Sequence, residues 1–204
     1  MQFHALRTSD LNNPRLFANR QDMLKSFEGR IDTFIEIGVA FGHLSRFVLD
    51  HFRPKKMHLV DIFTIHQYKT YMRNKTADFL GGMTHRAFIE HKFAKEISDG
   101  TVFLHEGDSS TILSTFDDGY ADCIYVDGDH SLEGVQKDTD VAHKKVAPRG
   151  YLVFNDYVLY CEEQAAPLGV VPVVNNLCAG GEWKVTHFAF HFMMFNDITL
   201  RRTT

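Results

Sequence analysis

Short runs rich in β-branched and aromatic residues recur along this chain, each followed by a longer stretch of mixed polarity. The runs are Asp32–Gly38, Met57–Ile62, Thr101–His105, Ala121–Asp127 and Gly150–Asp156. Short buried runs alternating with helical segments imply strand–helix–strand units and a parallel sheet. Phe41–Phe52 repeats Leu44, Phe47, Val48 and His51 at helical spacing, and Met83–Ile97 does so with Phe88, Ile89, Phe93 and Ile97. Ser109–Phe116 reads as a short helix. Ser131–Val146 reads as a longer one, stopped by Pro148 and Gly150, and Val170–Leu177 as a last one despite Pro172. Trp183–Phe190 and Phe192–Leu200 look like an antiparallel pair closing the sheet. Residues 1–30 are expected to hold one helix around Arg15–Phe27, ahead of a single domain over 31–204. Phe63–Gly82 lacks clean periodicity and is expected to be an irregular loop or lid.

In open parallel sheets, ligands bind beyond the carboxyl ends of the strands, so the residues there are the candidates. The first strand ends in Glu36-Ile-Gly38-Val-Ala40-Phe-Gly42. Gly38 permits a tight turn and Gly42 opens a helix. Ala40 and His43 stand where a dinucleotide fingerprint needs glycine, and Glu36 would repel a pyrophosphate but suit a cationic ligand. The second strand ends in Asp61-Ile62, with the acid placed to bond ribose hydroxyls. After the third come Asp108 and Ser109, able to cap a helix and to face an adenine.

The fourth strand is followed by Asp127-Gly-Asp129-His130, a cluster suited to acid–base or metal chemistry, unless Asp129 only caps the next helix. The fifth is followed by Asn155-Asp156. Oxygens of Asp127, Asn155 and Asp156 could converge on a hard cation such as Mg²⁺. His85 and His91 lack metalloprotease spacing, and His187 and His191 are expected to face the surface. There is no GxSxG and no GxxxxGK[ST], so serine-hydrolase and P-loop chemistry lack an anchor.

The segments FIEIGVAFGHLS, HLVDIF, HEGDSS and IYVDGDHSLEGVQKDTDVAHKKVAPRGYLVFNDY together resemble the class I S-adenosylmethionine-dependent methyltransferases. DGDHSLEGVQKD is similar to the branch of macrocin-type and small metal-dependent O-methyltransferases. The resemblance implies a Rossmann-like, seven-stranded, mostly parallel sheet with an antiparallel last strand and helices on both faces. It implies a cofactor site of Glu36, Gly38, Ala40, Gly42, Asp61, Ile62, Asp108, Ser109 and Asp127. It implies Asp127, Asn155 and Asp156 as ligands of Mg²⁺, although an amide stands where that branch has an acid. It implies His130 as the general base, and Asp129 beside it is the other candidate for acid–base work.

The expected reaction is methyl transfer to a small-molecule hydroxyl. A nicotinamide-dependent oxidoreductase and a non-catalytic S-adenosylmethionine-binding module are the alternatives. A formal net charge of −4 argues against a nucleic-acid partner. Three cysteines without metal spacing suggest a reducing compartment. The chain has neither an 18-residue apolar run nor an apolar leader, so a cytoplasmic protein off the membrane is expected, as a monomer or a homo-oligomer.

Overall fold

The computed structural model describes residues 3–71, 74–161, 165–191 and 195–203. Its strands are β1 (Leu11–Phe17), β2 (Thr33–Ile37), β3 (Lys56–Asp61), β4 (Val102–Glu106), β5 (Ala121–Val126), β6 (Val146–Phe154), β7 (Trp183–Phe190) and β8 (Asn196–Arg202). They form one sheet in the order β1-β7-β8-β6-β5-β2-β3-β4. β8 runs antiparallel to both its neighbours, and the other pairings are parallel. The helices are α1 (Arg20–Lys25), α2 (His43–Phe52), α3 (Thr76–Leu80), α4 (His85–Lys92), α5 (Ala94–Ser98), α6 (Ser109–Leu113), α7 (Leu132–Lys145) and α8 (Val170–Ala179).

Alternate residues of the central strands feed two apolar layers, as the pleat requires. Ile35, Ile37, Ile124, Val126, Leu152 and Phe154 pack against Val135 and Ala142 of α7 and Val173 and Val174 of α8. Phe34, Met57, Leu59, Cys123, Tyr125 and Val153 pack against Met23 and Leu24 of α1, Val48 of α2 and Ile89 of α4. The sheet is therefore covered on both faces and fits the expected α/β class.

Four details differ from the sequence reading. Residues 1–30 carry a strand and a short helix in place of one helix over Arg15–Phe27, so the sheet has eight strands and not seven. Pro14 lies inside β1, where the pairing with β7 loses register between Leu11 and Arg15. An edge strand tolerates proline because one of its sides has no ladder to serve. Second, Met83–Ile97 splits at Phe93 (φ −114°, ψ 22°) into α4 and α5. Third, the segment 63–82 is not simply irregular: it holds a 3₁₀ turn at Ile65–Gln67, a two-residue ladder of Thr70–Tyr71 with Asn74–Lys75, and α3. Fourth, His187 is buried beside Phe17, Phe27 and Tyr151. That burial, with Arg15 and Arg201 nearby, pushes its imidazole down to about 4. His191 is half-buried. The strand read over Phe192–Leu200 begins at Asn196, and Phe192–Met194 lie outside the described residues.

The order reverses between β2 and β5: from β2 the chain builds outward through β3 and β4, then returns to lay β5 and β6 on the other side. Such a switch opens a crevice at the strand ends.

Candidate functional site

The strand ends at the switch are stitched together by backbone. The Asp127 amide donates to the Ile37 carbonyl (2.8 Å), the Gly38 amide to Val60 (2.9 Å) and the Asn155 amide to Val126 (3.0 Å). Gly38 has φ +81°, and a Cβ there would stand 1.9 Å from the Asp127 carbonyl oxygen. Glycine is required by that contact as well as by its backbone angle.

Beyond Gly38 the loop bends through Ala40, which takes the left-handed φ of 44° without being glycine. Such a residue costs about 1–3 kcal/mol and persists only where neighbours enforce it. Here His85, fully buried at the start of α4, bonds through Nε2 to the Ala40 carbonyl oxygen (2.5 Å). Asp61 braces the same loop: its carboxylate accepts from the amides of Val39 (2.7 Å) and Phe63 (2.7 Å). A carboxylate has about four lone-pair sites, so both oxygens can still accept from a ligand's hydroxyls. Ile62 beside it is exposed.

Glu36 lies beneath this turn, 2% exposed, accepting from the Ser45 hydroxyl (2.6 Å). Burial pushes its carboxyl up to about 8, against the Ser45 bond and nearby Arg20 and Lys92 and together with Asp61. Its proton, and not an open carboxylate, therefore faces neutral pH. Gly42 precedes α2 in the left-handed region. Asp108 caps α6, accepting from the Thr111 amide (2.8 Å) and from the Ser110 and Thr111 hydroxyls, which holds it below the usual carboxylate range. Ser109 donates to Asp138 of α7, which burial pushes up to about 6 against that bond.

The DGDH segment divides. Asp129 is exposed and accepts from the Ser131 amide (2.8 Å) and hydroxyl (2.8 Å), with Ser131 itself capping α7. Its carboxylate lies over the first turn of α7, 2.4 Å from where a Cβ on Gly134 would stand. His130 turns inward instead. Its Nε2 stands 3.6 Å from Asp127 Oδ1 and 3.7 Å from Asp156 Oδ2. That nitrogen is buried and makes no hydrogen bond among the described residues. Asp156 takes φ 55° directly after Asn155, and this bend brings its carboxylate to His130.

Burial raises Asp127 and Asp156 above the usual carboxylate range. For Asp127 the strongest opposing influence is Arg20, and for Asp156 it is His130 followed by Arg20. Asn155, 3% exposed, does not point its amide nitrogen into the crevice; it donates to Asp197 Oδ1 (3.0 Å).

Asp197 and Arg20 carried no sequence signal. Asp197 of β8, 2% exposed, accepts from the Tyr125 hydroxyl (2.6 Å) as well as from Asn155. Arg20, in the first turn of α1, pairs with Asp197 (3.4 Å) and reaches Asp127 (3.9 Å), its guanidinium 5.9 Å from the Tyr125 ring centre. Tyr71 stands half-buried against Phe41, and its hydroxyl is pushed up to about 12 by burial and by Asp127, Asp61 and Asp156. Tyr71 belongs to the aromatic-rich segment 63–82, and Tyr125 shows its inward place by alternation along β5.

Residues 35–157 match the family described as a methyltransferase domain. An uncharacterized protein, R132, of Acanthamoeba polyphaga mimivirus is 26% identical over 159 residues, covering 78% of this chain and 65% of its own length. The chain thus spans about two thirds of that relative. Among solved structures, the fold is similar to the O-methyltransferase TomG of Streptomyces achromogenes, involved in tomaymycin synthesis and solved with S-adenosylmethionine. The TM-score is 0.58 and the identity 17%, over 86% of this chain and 74% of that one. It is also similar to a putative rRNA methylase from Clostridium thermocellum, with TM-score 0.61 and 10% identity over 90% and 93%. No helix among the described residues is long and apolar enough to cross a membrane.

Proposed function

Because this chain belongs to the methyltransferase-domain family, we propose that it is an S-adenosylmethionine-dependent methyltransferase that methylates a hydroxyl of a small molecule, with His130 as the base. The observation that carries the proposal is the buried His130 Nε2 held between Asp127 and Asp156 beside the Gly38 turn.

The residues present suit the cofactor. Gly38 keeps the turn bare of side chain, Asp61 has acceptor capacity left for ribose hydroxyls, and Asp108 and Ser109 lie at the adjoining strand end. When bound, S-adenosylmethionine supplies a methyl group on a sulfonium, which departs as a thioether. The chain's own contribution is alignment and proton removal. Alignment alone is worth up to about 7–11 kcal/mol when reacting atoms are held in contact. A hydroxyl is a weak nucleophile at neutral pH, and His130 Nε2 accepts its proton as the new C–O bond forms. Asp127 and Asp156, on either side, stabilise the imidazolium that results. Asp129 serves the start of α7 and is left out of this step.

A small molecule is favoured over a nucleic acid by the net charge of −4 and by the carboxylates at the crevice. The three cysteines are free and buried, in keeping with a reducing, cytoplasmic setting. The test is calorimetry with S-adenosylhomocysteine, then single-turnover methylation of a hydroxyl library by wild type and His130→Ala. We expect micromolar cofactor binding by both proteins and a loss of turnover of about 10²–10⁴ in the variant. No cofactor binding would sink the methyltransferase assignment, and unchanged turnover would remove His130 from the base role.

A further inference from the structure

The carboxylates at the ends of β5, β6 and β8 already have a cation among them. Arg20 Nη1 lies 3.9 Å from Asp127 Oδ2 and its Nε 3.4 Å from Asp197 Oδ2, with only 20% of the side chain exposed. We infer that Arg20 is the resident cation of this site, set against Asp127, one of the three expected metal ligands, and against Asp197 beside Asn155, so that the pocket works with a guanidinium and holds no metal of its own. The inference concerns how the proposed methyl-acceptor site is charged, and in that sense rests on the proposed function.

The donor set points the same way. A hard divalent cation collects six or more oxygens at close range. Asn155 offers one neutral amide oxygen, because its nitrogen donates to Asp197 (3.0 Å). Both oxygens of Asp197 are engaged, Oδ1 by Asn155 and Oδ2 by the Tyr125 hydroxyl (2.6 Å) and Arg20. Asp127 turns Oδ2 to Arg20 and Oδ1 to His130 Nε2 (3.6 Å), and Asp156 turns Oδ2 to the same nitrogen (3.7 Å). Among the described residues no group of three or more His, Cys, Asp or Glu is set to hold a metal ion.

A guanidinium does not lose its proton in a protein, so its charge stays in place and repels a second cation from Asp127. Five donors in a fixed plane also let Arg20 face both carboxylates at once, through Nη1 and Nε. Arg20 and Asp197 both lie outside residues 35–157, the span matched to the family. The helix between β1 and β2 and the strand β8 thus supply both halves of the pair.

The experiment is Mn²⁺ binding followed by electron paramagnetic resonance, with Mn²⁺ as the probe, on wild type, Arg20→Met, and Arg20→Met combined with Asp127→Asn. Arg20→Gln replaces Arg20→Met should the latter not fold, as judged by Trp183 emission. Wild type is expected to hold no stoichiometric Mn²⁺ at micromolar metal. Arg20→Met is expected to gain at least about tenfold in Mn²⁺ affinity, and Asp127→Asn to abolish that gain. One Mn²⁺ bound per wild-type chain and lost on Asp127→Asn or Asp156→Asn would overturn the inference. So would folded Arg20→Met or Arg20→Gln protein that gains no affinity. S-adenosylhomocysteine calorimetry on the same samples, with EDTA and then Mg²⁺, separates the two questions. A failure to bind it refutes the methyltransferase assignment, while the Mn²⁺ comparison still decides the role of Arg20.

Discussion

Glu36 shows how far a residue's chemistry departs from its letter. As a carboxylate at a strand end it reads as an open negative charge for a cationic ligand. In the fold it is buried, bonded to Ser45, and carries its proton up to about pH 8. Its pKa is raised on folding, from 4.5 to about 8, so the native chain binds the extra proton and stability from this group falls as pH rises through that window. Glu36→Gln removes the dependence. The unfolding free energy of the variant minus that of wild type should therefore grow from pH 4.5 to pH 8, by at most about 1.4 kcal/mol per unit. Urea titrations at several pH values measure it, and a pH-independent difference would place Glu36 ionised in the native state. Asp61 and the Asp127–His130 cluster could be picked out of the sequence because each stands at the carboxyl end of a strand. Arg20 and Asp197 could not, because their partners are remote in sequence and set only by the order of strands.

The central units were readable wherever a short apolar run met a helical period, which is why β2 to β6 and α2, α7 and α8 lie near their expected places. β1 was not, because Leu11–Phe17 pairs along one side only, carries Pro14, and keeps Leu11 and Leu16 exposed, so its pattern lacks a buried alternation. α4 and α5 read as one helix because the period runs on through Phe93, a fully buried residue that stands at the break. The join between β2 and β5 tolerates the least change. Gly38→Ala would drive a Cβ into the Asp127 carbonyl at 1.9 Å while holding a positive φ, so one loop must yield. A loss of more than about 3 kcal/mol is expected, read as a lower urea midpoint, together with weaker S-adenosylhomocysteine binding. A variant of wild-type stability would mean the two loops are free to separate.

Across the molecule, residues 1–30 and the closing strands belong to the same packed body as the methyltransferase domain. Phe27 stacks on Tyr151 of β6 at 3.9 Å between ring centres, Met23 and Leu24 are fully buried, and Thr199 of β8 donates to the Met23 sulfur (3.4 Å). Trp183, the only tryptophan, is 1% exposed in the opposite layer and so reports on the far side of the sheet. Its emission and the far-ultraviolet circular dichroism should change at the same urea concentration, as one cooperative unit demands. An earlier change in emission would divide the body in two.

β8 is the last strand in sequence, yet it lies between β6 and β7, and the β1–β7 pair meets the rest of the sheet only through it. A nascent chain stopped short of Asn196 would therefore present two bare strand edges at once, the arrangement most prone to pairing with other chains. It would also lack Asp197, the acceptor for Tyr125, Asn155 and Arg20. Vectorial synthesis thus leaves the pocket unfinished until β8 emerges. The interval just before that is when a chaperone has the most to protect.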